Sequence, residues 1–315
     1  PSSGMKAYVM DDISRNPTIP SWFSEMLPLS FEVACDIGKF RKLVKERLKD
    51  KKESVDFIKK YIYCDETAAN EIYNYFKEQD DFSELPDENL ILIEKFNDDK
   101  KEYLLFHSMF GRRVNDVLSR AYAYAAARSR GRDVEIGIND NGFFIAGEGL
   151  DEKKILSYVN LKNLDEILRE AIEKTDVLQR RFRHCASRSL MILRNYKGRS
   201  KSVGKQQMHS HFLLAAVKKI SSEFPILREA RREVLEDLMD VEHAKEVLKL
   251  IESGRVKIKV MKIPLVSPFG LNLIMQSHAD LIKMEDKAMF LKRMHQLHLK
   301  VIGDKKGGDL TTTVT

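Results

Sequence analysis

Apolar residues recur at helical spacing along most of this chain. The first such stretch runs from residue 30 to residue 48, where apolar side chains stand three or four residues apart: Phe31, Ala34, Cys35, Ile37, Phe40 and Val44. This spacing places them on one face of a helix, so the pattern predicts an amphipathic helix. The same reasoning predicts further helices over 53–62, 66–77, 111–129, 161–174, 176–195, 205–222, 226–239, 240–252 and 284–301.

Shorter apolar runs on either side of turn sequences predict β-hairpins. Residues 88–96 and 101–107 flank an Asn-Asp-Asp-Lys turn, and residues 134–138 and 143–146 flank Asp-Asn-Gly. Asn-Gly favours the tight turns that join antiparallel strands. Isolated strands are predicted at 6–10 and 256–263. The predicted fold class is therefore α+β, mostly helical with a small antiparallel sheet or a β-barrel built from hairpins.

The length of 315 residues favours two segments, at roughly 150 residues per domain. We predict a segment 1–150 with helices, two hairpins and the loop around Trp22. We predict a second segment, 151–315, that is mainly helical and basic and carries a late strand and a last helix. The three cysteines are far apart in the sequence and form no Cys-x-x-Cys pair, and no apolar run is long enough to cross a bilayer. We therefore expect a cytoplasmic protein without a membrane partner.

The net charge of +6 is distributed very unevenly along the chain. Residues 65–102 contain 13 acidic residues against four lysines, a local charge of −9, whereas residues 177–222 contain 11 Arg and Lys and no acid. Residues 112–132 form a second basic window, with six Arg against Asp116. Such a basic block inside a balanced protein is typical of a surface that binds a polyanion. The alternative is a solvated helix face that pairs with acids of the same fold.

Both basic windows fall on predicted helices whose apolar and basic residues separate onto opposite sides. In 111–129 the apolar side contains Val114, Leu118, Ala121 and Ala125, and in 176–195 it contains Leu178, Phe182, Cys185, Ala186 and Leu193. The basic sides carry the candidate nucleic-acid-binding residues Arg112, Arg113, Arg120, Arg180, Arg181, Arg183, His184, Arg188 and Arg194. Guanidinium groups suit phosphate contacts because they donate two parallel hydrogen bonds. The stretch 195–205 is predicted to be a flexible loop that extends this surface with Lys197 and Arg199.

Sequence motifs of nucleotide hydrolysis and metal binding are absent. No GxxxxGK[ST] phosphate loop and no DExx[HD] box occurs, so the chain is predicted to be non-catalytic alone and to hold no cofactor or metal. The pairs His209/His211 and His295/His298 lack a Cys or carboxylate at ligand spacing, which favours ordinary polar positions. Cys185 next to His184 points to the apolar side of its helix, which favours a core cysteine over a reactive thiolate.

Trp22 is the only tryptophan and lies in a proline-rich loop without helical or strand periodicity. A single tryptophan usually belongs to the core. In such a loop it is also a candidate for stacking on a nucleobase.

Several long motifs in this sequence resemble the Lhr (large helicase-related) proteins of helicase superfamily 2, and their archaeal branch in particular. The motifs are IPSWFSEMLPLSFEVACDIGKFR (19–41), LLFHSMFGRRVNDVLSRAYAYAAAR (104–128), QRRFRHCASRSLMILRNYKG (179–198), FPILREARREVLEDLMDVEHA (224–244) and SPFG (267–270). The motif SPFG stands where the family often has SPFA. The resemblance covers about residues 20–300, in the family's order.

The resemblance implies that this chain is the C-terminal, non-ATPase domain of such a helicase. The family couples two RecA-like domains and a winged helix to this domain, uses ATP and Mg²⁺ in the upstream motor domains, and moves 3′→5′ on a single strand. It unwinds duplexes, including RNA–DNA hybrids, and a link to DNA repair is expected. The family's base-stacking tryptophan maps onto Trp22, and the family domain contains a small β-barrel among helices.

Three functions remain open at this point. The leading hypothesis is a module that binds and guides single-stranded DNA or RNA. The second is an enzyme acting on nucleic acid by itself, for which Glu223, Asp176 and His184 are only nominal catalytic candidates. The third is a scaffold whose acidic 65–102 segment docks the motor domains or another partner.

Overall fold

Helices, four hairpins and one late strand follow one another along the described part of the chain. The computed structural model describes residues 2–3, 6–7, 27–98, 101–173, 175–196, 198–277 and 284–307. The first half contains β1 Ser2–Ser3, β2 Lys6–Ala7, α1 Phe31–Lys45, α2 Lys51–Ile62, α3 Glu66–Phe82, β3 Leu90–Asp98, β4 Lys101–His107, α4 Arg112–Arg130, β5 Glu135–Asn139 and β6 Gly142–Gly147. The second half contains α5 Glu152–Tyr158, α6 Leu164–Ile172, α7 Asp176–Arg188, β7 Asn195–Tyr196, β8 Arg199–Ser200, α8 Val203–Ile220, α9 Pro225–Arg232, a π-helical segment Glu233–Leu238, α10 Val241–Glu252, β9 Lys257–Lys262, α11 Pro268–Ser277 and α12 Met284–Gly307.

Several helices begin where a short polar side chain caps the first turn. The side chains of Ser30, Asp50, Asp65, Asp151 and Thr175 each accept a hydrogen bond from a backbone N–H three residues later. Such a cap satisfies one of the amide donors that has no partner within the helix. These residues therefore fix the starts of α1, α2, α3, α5 and α7 in the sequence.

The central sheet has five strands in the order β5-β6-β4-β3-β9. The predicted hairpins β3–β4 and β5–β6 form as antiparallel pairs, and β4 joins them by pairing with β6. The late strand β9 instead pairs with β3 in parallel, with Ile91 opposite Ile258 and Ile93 opposite Val260. The predicted α+β class is confirmed. The β-barrel alternative is wrong, because β5 and β9 are the two edges of an open, mixed sheet in the described part of the chain.

Apolar side chains cover both faces of this sheet. Along β4 and β6, Leu104, Phe106, Phe143 and Ile145 join the main core with α4, α6, α7 and α10. The intervening residues point the opposite way and join a second cluster with residues of α11 and α12: Tyr103, Leu105, Phe144 and Ala146. Successive side chains in a strand alternate between faces, so burial on both sides requires an almost continuous apolar run. This explains why the sequence shows runs here without strict alternation.

Helix α7 ends earlier than its apolar periodicity predicts. The helix stops at Arg188, and Leu190 has a left-handed backbone with φ of 61°. The amide of Ile192 then returns to the carbonyl of Ala186, which closes the C-terminal turn. Leu193 and Arg194 are therefore not helical, and the predicted flexible loop at 195–205 instead contains the β7–β8 hairpin and the start of α8.

Three further elements were not predicted, namely β1, α5 and α11, and the predicted helix 226–239 is π-helical from Glu233 to Leu238. The boundary at residue 150 stays a prediction, although the sheet draws β9 from the second segment and β3–β6 from the first. No helix among the described residues is long and apolar enough to cross a membrane.

Candidate nucleic-acid interface

Helix α7 carries most of the predicted cations and packs its apolar side into the main core. Leu178, Phe182, Cys185 and Ala186 are buried, and the helix lies against α8, α9 and the π-helical segment. Because successive residues are 100° apart, the arginines project on two different sides. One side faces the π-helical segment and the other faces α8, and the two sides differ in their partners.

The arginines that face the π-helical segment form internal ion pairs. Arg188 Nη2 donates a hydrogen bond to Glu233 Oε1, and Arg181 Nη1 lies 3.7 Å from Glu233 Oε2. The side chain of Glu233 is only 5% exposed. A carboxylate this deeply buried requires cationic partners. Arg181 and Arg188 therefore serve the fold, whatever else they contact.

The arginines that face α8 have no such partner. Arg180 is exposed and Arg183 half-buried, and neither pairs with an acid in the described part of the chain. Both line a groove of about 550 Å³ between α7 and α8. The groove also contains Gln179 of α7 and Gln207, Met208 and His211 of α8, with Asp176 at the start of α7. Two unpaired guanidinium groups thus stand over an open cavity.

His184 lies among the cations of α7, and both its burial and their charge act on its pKa. Burial lowers the pKa of His184, and the neighbouring cations lower it further: Arg183, Arg181, Arg188 and Arg194. Its imidazole is therefore neutral near pH 7, because a further positive charge is disfavoured at this place. The potential that repels a proton here would attract a phosphate group.

The predicted cations of α4 also divide into paired and unpaired groups. Arg113 Nη2 donates to the carbonyl oxygens of Glu236 and Met239, at 2.7 and 3.0 Å, and Arg120 Nε donates to Asp116 Oδ1 at 2.7 Å. The Arg112 side chain is exposed and has no acidic partner among the described residues.

Arg112 lies at a helix end where the macrodipole and the Asp140 carboxylate, which accepts a hydrogen bond from the Arg112 amide, act on a cation in opposite directions. It is the first residue of α4, whose first turn contains no acid. The helix macrodipole disfavours a cation at this end. The Arg113 side chain is held by its hydrogen bonds to Glu236 and Met239, whereas the Arg112 side chain makes no ion pair among the described residues.

The remaining predicted site residues are only partly within the described structure. Trp22 and Lys197 lie outside the described residues, and only the backbone of Arg199 is described, in β8. Arg194 is exposed, accepts a hydrogen bond from the Lys201 amide at its carbonyl, and has no ion pair in the described ranges.

The chain that follows the Trp22 loop is held close to the start of α4. The amides of Leu29 and Arg112 both donate to Asp140 Oδ1, at 3.0 and 3.1 Å. The Phe31 ring stacks on His243 with 4.2 Å between ring centres. The structure thus brings residues 29–31 next to the unpaired Arg112.

The residues considered for other chemistry have ordinary structural roles. Burial raises the pKa of the Cys185 thiol to about 11, so a reactive thiolate is disfavoured. His298 is buried with Nε2 2.8 Å from the Val266 carbonyl oxygen, and His295 Nδ1 lies 3.1 Å from Glu78 Oε1. Among the described residues, no cluster of His, Cys, Asp and Glu could hold a metal ion.

The acidic segment 65–102 mostly pairs with cations of the same fold. Glu84 contacts Lys45 and Lys259, and further pairs join Glu66 to Lys59, Asp87 to Lys45, Glu88 to Lys42 and Glu102 to Lys95. Its local charge of −9 is therefore partly neutralised within the chain. The basic surface of α7 and α8 has much less such compensation.

Sequence reasoning missed the α8 side of the groove and the buried Glu233. The amide and thioether side chains of α8 that line the groove, Gln207 and Met208, carry no formal charge, so a search for charged residues does not find them. The sequence did contain a partial signal for this surface, because residues 177–222 contain no acid that could neutralise their 11 Arg and Lys residues.

Comparison with known proteins gives a consistent assignment. The family model described as DEAD/H associated matches residues 85–270. The ATP-dependent helicase Lhr-Core of Methanothermobacter thermautotrophicus is 46% identical over 291 residues, which cover 90% of this chain and 33% of that protein. The ATP-dependent helicase Lhr-Core of Saccharolobus solfataricus is 39% identical over 319 residues, covering 96% of this chain and 36% of that protein.

A solved structure supports the same fold. It is the helicase Lhr of Mycobacterium smegmatis bound to ssDNA and AMP-PNP, with a TM-score of 0.71 and 22% identity. The match covers 82% of this chain and 33% of that one. This chain thus spans about a third of the length of the curated relatives it matches. With more than half of its residues matched by the family model, the chain belongs to the DEAD/H associated family and corresponds to a part of the Lhr-type helicases.

Proposed function

We propose that this chain is the module of an ATP-dependent Lhr-type helicase that binds and guides a single nucleic-acid strand. The chain itself holds no cofactor in this proposal. ATP and Mg²⁺ act in the RecA-like domains, which together with a winged helix are its partners within the same protein. The strand is single-stranded DNA or RNA, released from a duplex or an RNA–DNA hybrid.

One observation carries the proposal, namely that several arginines of the two basic windows have no acidic partner. Arg112, Arg180, Arg183 and Arg194 have no acidic partner in the ranges that the structure describes, although ion pairs are frequent elsewhere in the chain. Guanidinium groups suit phosphate contacts because they can donate two parallel hydrogen bonds to one phosphate. The relatives named as ATP-dependent helicases and the similar fold of an ssDNA-bound helicase support the same reading.

Trp22 supplies the base contact in this proposal. The described residues 29–31 are bonded beside Arg112, and in this proposal Arg112 binds a phosphate of the strand whose base stacks on Trp22. Aromatic stacking contributes about 1–3 kcal/mol per base, independent of sequence.

The test measures binding of the 315-residue chain to a fluorescein-labelled (dT)₂₀ strand by fluorescence anisotropy across a series of KCl concentrations. Four phosphate contacts predict a slope of log K against log [KCl] of about −3, since each contact contributes about −0.7. Removing two of them with the double variant Arg180→Gln and Arg183→Gln should reduce that slope by about 1.4. Trp22→Ala should weaken binding by about 1–3 kcal/mol with the slope unchanged.

The matched control removes two exposed lysines of α2 with the double variant Lys52→Gln and Lys60→Gln. It changes the net charge equally but lies on a helix that packs on α3. If both double variants reduce the slope equally, or if the parent chain does not bind (dT)₂₀ at low salt, the proposal is wrong.

A further inference from the structure

The groove between α7 and α8 contains more than positive charge. Arg180 and Arg183 stand at its α7 side, Gln179 and Gln207 contribute amides from both helices, and α8 adds Met208 and His211. Its volume of about 550 Å³ lies within the range of roughly 300–1,000 Å³ that is typical of small-molecule sites. Charged, hydrogen-bonding and apolar groups therefore meet in one cavity of the size of a ligand.

The spacing of residues along the two helices produces this arrangement. Gln179 and Arg183 are four residues apart on α7, as are Gln207 and His211 on α8, so each pair occupies one side of its helix. Leu214 is buried at the base of the groove. Gly204, which also lines the groove, has no side chain to fill its end, and a Cβ there would meet no atom within 4 Å.

We propose that this groove receives one nucleotide of the bound strand, with its base inserted between the helices and its phosphate on Arg180 and Arg183. The imidazole of His211 and the thioether of Met208 offer a stacking surface, because bases stack on planar and polarisable groups. The amides of Gln179 and Gln207 both donate and accept hydrogen bonds, which is what a base edge requires. This inference rests on the proposed function and adds a base-binding site separate from Trp22.

Asp176 favours a nucleotide over a simple anion as the occupant of the groove. Its carboxylate lines the same groove, so it opposes a small multivalent anion such as free phosphate. A carboxylate instead accepts hydrogen bonds from the exocyclic amino groups of bases. A nucleotide carries both the phosphate that suits the arginines and the amino donor that suits Asp176.

The test uses the 315-residue chain and single strands in which one base is replaced by the fluorescent base 2-aminopurine, moved position by position. Gly204→Leu fills the end of the groove without changing charge. Its matched control is Ala216→Leu, which replaces an exposed residue of the same helix outside the groove. We expect Gly204→Leu to weaken binding roughly ten-fold, the loss of one stacked base, and to abolish the 2-aminopurine signal at one position. Ala216→Leu should leave both unchanged.

A second pair of variants tests the phosphate contact independently of how Gly204→Leu folds. Arg183→Gln should weaken binding more than Arg194→Gln and should change the position-specific signal, since only Arg183 lines the groove. The inference is overturned if Gly204→Leu behaves like the parent chain, if the two leucine variants weaken binding equally, or if Arg183→Gln and Arg194→Gln are equivalent in both readouts. In these cases the parent chain still binds the strand, whereas failure of the parent to bind would refute the proposed function instead.

Discussion

The neighbouring residues Arg112 and Arg113 should have opposite mutant phenotypes, although both lie in the first turn of α4. Arg113 Nη2 donates to two carbonyl oxygens near the end of the π-helical segment, at 2.7 Å to Glu236 and 3.0 Å to Met239. Hydrogen bonds from charged donors contribute about 1.5–3 kcal/mol each. Two such bonds set an upper limit of about 3–6 kcal/mol, which is reduced because the side chain is partly exposed and loses roughly 2 kcal/mol of rotamer entropy when fixed. We therefore expect Arg113→Ala to lower the free energy of unfolding by about 2–3 kcal/mol.

Arg112→Ala removes the same charge from the adjacent position and serves as the matched control. Its side chain makes no ion pair among the described residues, and the macrodipole of α4 and the nearby Asp140 carboxylate act on its charge in opposite directions, so its loss should change stability by less than about 0.5 kcal/mol. Binding to a single strand should weaken, and the salt slope should fall by about 0.7 because one phosphate contact is lost.

The assay combines urea denaturation, followed by circular dichroism, with the anisotropy titration. The m-values of both variants must match that of the parent for the stabilities to be compared. The reasoning is refuted if Arg113→Ala changes stability by less than about 0.5 kcal/mol, which is the size of an ordinary surface substitution. It is equally refuted if Arg112→Ala destabilises the fold as much as Arg113→Ala does.

Three further predictions concern a carboxylate, a thiol and a backbone conformation. Burial alone would raise the pKa of Glu173, but hydrogen bonds and charge from Arg231 and Lys218 hold it below its usual range. The Glu173 carboxylate therefore stabilises the fold above its unfolded pKa of about 4.3, and this stability is lost as the pH falls through the lower folded pKa. Glu173→Gln should make the free energy of unfolding less dependent on pH in this acid range. An unchanged pH dependence would contradict the prediction. Because the pKa of the buried Cys185 thiol is about 11, we expect Cys185 to resist iodoacetamide at pH 8 in the folded chain and to react after unfolding. Peptide mass spectrometry measures the labelling, and equal labelling in both states would contradict the burial of this thiol. Leu190 is exposed and has a left-handed backbone, so Leu190→Gly should raise the free energy of unfolding by about 0.5–1 kcal/mol, as measured by urea denaturation. A lower free energy of unfolding would mean that the contacts of the leucine side chain outweigh its backbone strain.

The two β-hairpins could be predicted because their turns and their apolar strands are encoded by residues close together in the sequence. The Asp-Asn-Gly turn and the long apolar runs located both hairpins, because turn chemistry and burial on two faces are visible in the sequence. The parallel strand β9 escaped the same reasoning, since its apolar run does not specify which strand it will join. The β-barrel, which the family resemblance also implied, is wrong because the described sheet ends at β5 and β9 without closing.

For the candidate site, helical periodicity predicted which side of α7 is buried and which side carries the arginines, but not the partners of those arginines. The apolar side of α7 is buried as its periodicity indicated, so its arginines had to project outward. Whether an outward arginine is free depends on what the chain places opposite it. Glu233 comes 45 residues after Arg188, and the sequence between them gives no sign that they meet. The division into Arg181 and Arg188 on one side and Arg180 and Arg183 on the other is therefore a tertiary property.

The parallel strand β9 also has a consequence for how this chain is synthesised. The edge of β3 that it covers ends at Asp98, and β9 begins at Lys257, about 160 residues later. At roughly 5–20 residues per second, a ribosome needs about 10–30 s to make the covering strand. During that interval Ile91 and Ile93 belong to a strand with unpaired backbone groups, which can pair with another nascent chain. A fragment cut at residue 150 would keep this edge open permanently, so we expect it to aggregate during expression unlike the full chain.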